Sequence, residues 1–317
     1  MKRASTRAET AISRLQDVSQ DAESGLSIGS IEIGSQVLRV GIRASKAGAD
    51  RPALLLCNGI GANLELVGHF AHEMDDFETI IFDVPGTGKS PTPQLPYRLF
   101  SIARLATKLL DTLGYTEPMD VLGVSWGGGL AQQLAIQYPQ RVRRLILAAT
   151  AMGGGTMVPG KPHVLMKMVS PKRYSDKGYM HSIAPDIYGG KMRSDPKAIA
   201  MFTKAMKGGN GLGYAYQITA MLGWTSLPWL WRMTQPTLIL ASTDDPLIPL
   251  VNPRLQTALM RNARLHIIED GHLFLLTTAD VTAPVIRQFL MAADAEVAVP
   301  PGKMQGRPSA ARSPGAP

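Results

Sequence analysis

Met119-Asp120-Val121-Leu122-Gly123-Val124-Ser125-Trp126-Gly127-Gly128 reads as a buried strand that breaks into a helix at a serine. So sharp a turn needs small residues on either side of the serine so that backbones can approach, and Gly123, Gly127 and Gly128 supply them. The start of the helix then faces Ser125, where its N–H groups favour developing negative charge. This is the pattern of a nucleophile elbow. The Gly-x-Ser-x-Gly spacing alone is a weak signal, because so short a pattern recurs by chance, and its surroundings have to carry the reading. Working outward, short β-branched or leucine-rich runs end in turn signals. Leu54 to Cys57 leads into Asn58-Gly59-Ile60-Gly61 and Thr79 to Phe82 into Asp83-Val84-Pro85-Gly86; Leu145 to Ala149, Thr237 to Ala241 and Leu265 to Ile268 follow. Apolar residues at helical spacing intervene at Ile102 to Leu113, Leu130 to Tyr138 and Val285 to Leu290. That alternation predicts an α/β fold with a mostly parallel sheet covered on both faces. Ile31 to Ile42, with a turn at Gly34-Ser35, suits an antiparallel hairpin at the sheet edge.

A serine hydroxyl is a poor nucleophile until a positioned base takes its proton, and the base needs an acid to fix its tautomer. Behind a strand-to-helix elbow the acid follows a late strand and the histidine comes last. Ser242-Thr243-Asp244-Asp245-Pro246 follows the strand at 237 to 241, and Asp270-Gly271-His272 follows the strand at 265 to 268. Both lie at C-terminal strand ends, where open α/β sheets place their sites. Asp244 and Asp245 are adjacent candidates, with Pro246 fixing the backbone after the second. The backbone N–H groups of Trp126 and Ile60 are the expected oxyanion donors, each lowering the barrier by about 3 to 4 kcal/mol. His266 lies inside a strand and reads as a packed core residue. His69 and His72 lack a third ligand at any metal spacing, so no metal is expected.

The chain has 317 residues, 45% of them apolar, with 33 Lys+Arg against 25 Asp+Glu, a net charge of +8. That composition excludes a disordered or collagen-like chain. Cys57 is the lone cysteine, so disulfides are absent. Met1 to Leu26 lacks the apolar run of a signal peptide, and no window approaches a membrane span. A cytoplasmic protein is expected. A basic total invites a nucleic-acid reading, but the charge is not spread. Residues 151–234 carry 11 basic against 3 acidic residues, an excess equal to that of the whole chain, together with 10 of its 16 methionines and Trp224, Trp229 and Trp231. Basic–aromatic stacking motifs on a sheet are missing, so nucleic acid is not expected as a partner. The predicted division is a flexible tail over 1–27, a core over 28–150, a cap or lid over 151–234, the rest of the core over 235–292, and a disordered Ala/Pro/Gly-rich tail over 293–317.

These elements resemble the α/β-hydrolase superfamily, and the wording is similar above all to the bacterial intracellular medium-chain-length polyhydroxyalkanoate depolymerases. The likeness rests on Asn58-Gly59-Ile60-Gly61-Ala62-Asn63-Leu64-Glu65-Leu66, Phe82-Asp83-Val84-Pro85-Gly86, Val124-Ser125-Trp126-Gly127-Gly128 and Met157-Val158-Pro159-Gly160-Lys161-Pro162. It continues in Leu222-Gly223-Trp224-Thr225-Ser226, Asp245-Pro246-Leu247-Ile248-Pro249 and Asp270-Gly271-His272-Leu273-Phe274. The stretches run from about residue 50 to 290 and include the insertion, which generic hydrolases do not share. The resemblance implies an α/β-hydrolase fold with an inserted helical cap and a triad of Ser125, Asp245 and His272. It also implies Asn58 and Trp224 as substrate contacts, no cofactor, and a polyester granule surface as partner. Short-chain depolymerases and polymer synthases use Cys at the elbow, and Ser125 argues against both.

Competing motifs fail on single residues. Gly86-Thr87-Gly88-Lys89-Ser90 resembles a phosphate loop, but Asp83 stands where its first Gly is required. Gly59-Ile60-Gly61 fails the dinucleotide pattern because Leu64 replaces the third Gly. Asp83 is better read as a strand-to-loop turn residue. The expected activity is hydrolysis of backbone esters of a medium-chain-length poly(3-hydroxyalkanoate). A small-ester or lactone hydrolase of the same fold is the alternative, and a granule-bound scaffold with a vestigial site is the non-enzyme one. The methionines and tryptophans of the insertion suit either its own core or substrate contact.

Overall fold

The structure, a computed structural model, describes residues 6–48, 51–170, 172–205 and 210–293. Nine strands form one sheet: β1 (Gln16–Asp21), β2 (Leu26–Ile33), β3 (Gln36–Arg43), β4 (Leu54–Cys57), β5 (Thr79–Phe82), β6 (Met119–Val124), β7 (Val142–Ala148), β8 (Thr237–Ser242) and β9 (Ala263–Ile268), in the order β1-β2-β3-β5-β4-β6-β7-β8-β9. β1, β2, β3 and β5 pair antiparallel, and from β5 onward the sheet is parallel. The reversal of order around β4 puts the ends of β4 and β6 side by side. Crevices of this kind hold ligands in open α/β sheets.

Successive side chains of a strand point to opposite faces, and the core divides accordingly. Leu55, Val121, Leu145 and Ile239 face one cluster, and Leu56, Leu122, Ile146 and Leu240 face the other. The first is covered by α1 (Arg7–Ile12), with α3 (Leu99–Leu113) and α4 (Trp126–Gln137). The second is covered by α2 (Leu64–Glu73), with α12 (Phe274–Thr277) and α13 (Ala279–Met291). Arg144 of β7 is fully buried because its guanidinium caps the end of α13, donating to Phe289 O and Ala292 O.

The flexible tail expected over 1–27 needs correction over 6–27, residues 1–5 lying outside the described residues. Thr6 caps α1 in a reciprocal box with Glu9, Arg7 pairs with buried Glu78 at 2.8 Å, and β1 extends the hairpin as the outermost strand. The residues of β1 are exposed on nearly every side, so no apolar alternation announced them. His266 is likewise exposed rather than packed, because β9 is the opposite edge of the sheet. Of the C-terminal stretch, only Ala293 lies within the described residues.

Between β7 and β8 the described residues form six α-helices: α5 (Pro162–Val169), α6 (Lys172–Ser175), α7 (Lys177–Tyr188), α8 (Lys191–Ser194), α9 (Pro196–Ala205) and α10 (Gly211–Met221). Helices α5, α7, α8 and α9 close a core of their own, in which Val164, Met180, Ile183, Ile187, Met192 and Phe202 meet Leu247 and Leu276 of the sheet domain. Met180 and Met192 therefore serve packing, whereas Met168 reaches a cavity beneath.

Candidate active site

Ser125 sits between β6 and α4 with φ 53° and ψ −116°, a backbone that L-residues rarely adopt. The turn is held on three sides. Ser125 N donates to Ala148 O at 2.9 Å, while its carbonyl accepts from Gly128 N at 2.9 Å and Thr150 Oγ1 at 2.8 Å. A side chain on Gly127 would lie 2.0 Å from Cys57 O, so only glycine lets α4 approach the end of β4. That contact brings the Asn58–Gly61 loop over the serine: a Cβ on Gly59 would lie 3.7 Å from Cβ of Ser125.

The loop owes its shape to side chains. Asn58 Nδ2 donates to Asn63 O at 2.6 Å and its Oδ1 accepts from Gly59 N at 2.9 Å. Asn58 lines the cavity, but its amide is occupied in folding the loop. Gln217 of α10, fully buried, accepts from Gly61 N through Oε1 at 2.7 Å and from the Trp126 indole through its backbone carbonyl at 2.9 Å. One glutamine thus ties together both segments expected to donate to an oxyanion. The Trp126 ring is consumed by packing and does not line the cavity.

Asp245 and His272 meet across the C-terminal ends of β8 and β9, with His272 Nδ1 2.7 Å from Asp245 Oδ2 and both side chains buried. The other carboxylate oxygen of Asp245 accepts from Leu247 N and Ile248 N, each at 2.9 Å. Asp244 points elsewhere: its Oδ2 accepts from Gly190 N at 2.8 Å and pairs with Arg193. The ambiguity between the two aspartates is resolved in favour of Asp245 as the partner of His272.

The insertion holds this pair in place. His272 N donates to Tyr188 O at 2.6 Å, and the two rings stack at 6.1 Å with planes 17° apart. Asp270 accepts Lys191 N at 2.8 Å. Between them, Gly190 approaches so closely that a Cβ would fall 1.9 Å from Gly271 N. The Gly189-Gly190 doublet was the sequence signal for this approach. Gln217 left none, because its partner lies 156 positions away.

Ser125 and His272 line one cavity with about 590 Å³ of empty space that opens to solvent. Its walls are apolar, with Leu66, Val67, Phe70, Met168, Leu275 and Leu276, and its polar groups are Asn58, Ser125, Arg173, Tyr188 and His272. Trp224, expected at the substrate, is not there. Its indole donates to Gln133 at 2.8 Å and its ring lies against Gly129 and Gly153, so it pins the insertion to α4. Cys57 is buried and its thiol is pushed up to about 12 by desolvation, which keeps it protonated. His69 and His72 project outward from α2, and no group of three or more metal-ligating side chains occurs among the described residues. Nor is any described helix long and apolar enough to cross a membrane.

Residues 52–188 match the family described as alpha/beta hydrolase fold. A poly(3-hydroxyalkanoate) depolymerase of Ectopseudomonas oleovorans is 51% identical over 261 residues, which cover 82% of this chain and 91% of that protein. A 3-oxoadipate enol-lactonase of Acinetobacter baylyi is 27% identical over 227 residues, 71% of this chain and 83% of its own. Among solved structures, the enol-lactonase from Burkholderia xenovorans LB400 superposes with a TM-score of 0.72 at 21% identity, covering 83% of this chain and 100% of that one, a likeness of fold.

Proposed function

Because the chain belongs to the poly(3-hydroxyalkanoate) depolymerases, a family with the α/β-hydrolase fold, we propose that it is a serine ester hydrolase that cleaves the backbone esters of a polyester with medium-length side chains. The observation that carries the reading is the buried 2.7 Å pair of His272 and Asp245 on the same cavity as a serine held in a strained turn. Asp245 is an acceptor only, so His272 donates from Nδ1 and keeps Nε2 as the base for the Ser125 proton. Ser125 Oγ then bonds to the ester carbon, and the oxygen that gains charge faces the N–H groups of Ile60 and Trp126. Collapse breaks the C–O bond, and His272 returns the proton to the departing alcohol. Water, deprotonated by the same imidazole, releases the acid from Ser125.

The apolar walls suit a polymer whose charge-neutral esters carry alkyl side chains. The insertion acts as a lid at a granule surface in the cytoplasm. Helix α5 supports this reading, since it exposes Leu165, Met166 and Val169 beside Lys161 and Lys167. Purified protein should clear an emulsion of poly(3-hydroxyoctanoate) but not of poly(3-hydroxybutyrate). Activity confined to p-nitrophenyl esters or lactones would instead favour the small-ester reading. The Ser125→Ala variant should lose at least about 10⁴-fold in kcat while keeping its adsorption to the polymer. Retained hydrolysis would remove Ser125 from the mechanism.

A further inference from the structure

Among the described residues lining the cavity, Arg173 alone carries a permanent charge. It is buried, and its guanidinium is set in a frame of phenols: Nη2 donates to Tyr188 Oη at 2.6 Å and Nη1 to Tyr214 Oη at 3.0 Å, while Tyr214 Oη donates to Met168 O at 2.8 Å. Desolvation raises the Tyr188 hydroxyl above its ordinary range, so this partner stays neutral. Tyr188 is also the ring that stacks on His272, which leaves the guanidinium one tyrosine ring away from the group that protonates the leaving alcohol.

A cation on this wall meets no opposite charge on an internal segment of a neutral polyester. Such a chain has one charged feature, the free carboxylate at its acid terminus. When the last ester is cleaved, the leaving group is a 3-hydroxyalkanoate whose carboxylate carbon stands three bonds, about 4 Å, from the ester oxygen. A planar guanidinium is the side chain best matched to a carboxylate.

We propose that Arg173 forms a carboxylate subsite on the leaving-group side of Ser125, which directs cleavage to the acid terminus of the polymer and releases 3-hydroxyalkanoate units one at a time. The inference rests on the ester-hydrolase reading above. The step balances as an ordinary hydrolysis: Ser125 Oγ bonds to the penultimate carbonyl, the C–O bond to the terminal unit breaks, and the proton taken by His272 goes to the departing 3-hydroxyl. Water then restores the serine.

The test uses the dimer of 3-hydroxyoctanoate as the free acid and as its methyl ester. Wild type should prefer the acid by about tenfold or more in kcat/KM, as expected for a charge-assisted hydrogen bond lost in the ester. Arg173→Gln should bring the ratio close to one, and Arg173→Lys should retain part of it. A purely structural arginine would lower both rates together and leave the ratio unchanged. A wild-type ratio near one, on protein that clears the polymer, overturns the subsite and spares the depolymerase reading. It would decide the matter even if Arg173→Gln did not fold. Failure of wild type on polymer and both dimers would overturn the depolymerase reading itself.

Discussion

Ser125 holds a backbone that costs about 1 to 3 kcal/mol, and the hydrogen bonds from Thr150 and Gly128 and to Ala148 are what keep it there. A second residue stores free energy in a different form. Asp83, at the end of β5, is buried and accepts from Leu64 N at 2.8 Å, from Lys89 N at 3.1 Å and from Arg39 at 3.3 Å, so it sets both the start of α2 and the following loop. The turn reading of this residue is therefore correct but incomplete. Desolvation dominates, and although the Lys89 amide and Arg39 pull the other way, the Asp83 carboxyl is pushed up to about 6. A carboxyl whose folded pKa exceeds its unfolded value binds its proton more tightly in the folded chain. Its contribution to stability is full below about pH 4 and is lost as the pH rises through about 6. Asp83→Asn cannot titrate and escapes that loss. Urea unfolding at pH 4 and pH 7 should show the variant gaining on wild type with rising pH by on the order of 2 to 3 kcal/mol, whatever its absolute stability. A difference between the two proteins that is flat over this range would show that Asp83 does not titrate there.

At the scale of elements, the insertion completes the site as well as covering it. Helix α7 ends against the loop of His272, and α10 braces the Asn58–Gly61 loop through Gln217. Removing the Gln217 acceptor leaves Gly61 N without it and lets the Ile60 amide drift, and misplacement by about 1 Å costs on the order of a hundredfold. Gln217→Ala should therefore lower kcat by roughly tenfold to a hundredfold with little change in KM, on protein whose far-ultraviolet circular dichroism matches wild type. A rise in KM at constant kcat would mean that Gln217 shapes substrate binding instead. This coupling also explains what sequence could and could not reveal. The parallel strands, the helices α3, α4 and α13, and the chain order of Ser125, Asp245 and His272 were legible, because buried apolar runs mark the strands and these residues lie within four positions of the ends of β6, β8 and β9. The separate helices of the insertion were not distinguished, since α6 and α8 have only four residues each and α7 carries Pro185 inside it. Arg173, Gln217 and the displacement of Trp224 from the cavity arise only when the insertion folds over the sheet. Helix α1 was missed because the face it buries is only two alanines, Ala8 and Ala11, over six residues, and β1 because it is exposed along nearly its whole length.

For the whole molecule, the charge of +8 is a local property, since the residues outside 151–234 balance to zero. Part of the excess is spent within the fold, where Arg193 pairs with Asp244 and Lys204 with Glu23. Lys161, Lys172 and Lys197 remain exposed on the same insertion that presents Leu165, Met166 and Val169 to solvent. An exposed apolar helix face on a basic insertion is what the proposed granule contact requires, while the proposed ester cleavage takes place in the cavity below it. The two tasks differ in their response to ions. Attraction between exposed charges is screened within about 10 Å at 0.1 M salt and within about 3 Å at 1 M, whereas buried groups are screened far less. Adsorption to polymer particles coated with anionic phospholipid should therefore fall as sodium chloride is raised from about 0.05 to about 0.5 M, while turnover of a soluble p-nitrophenyl ester stays level. Met166→Asp should weaken adsorption at every salt concentration, because it places charge on the contacting face. Should adsorption and soluble turnover respond to salt alike, the basic excess would have no part in docking, and the apolar face of α5 alone would have to carry it.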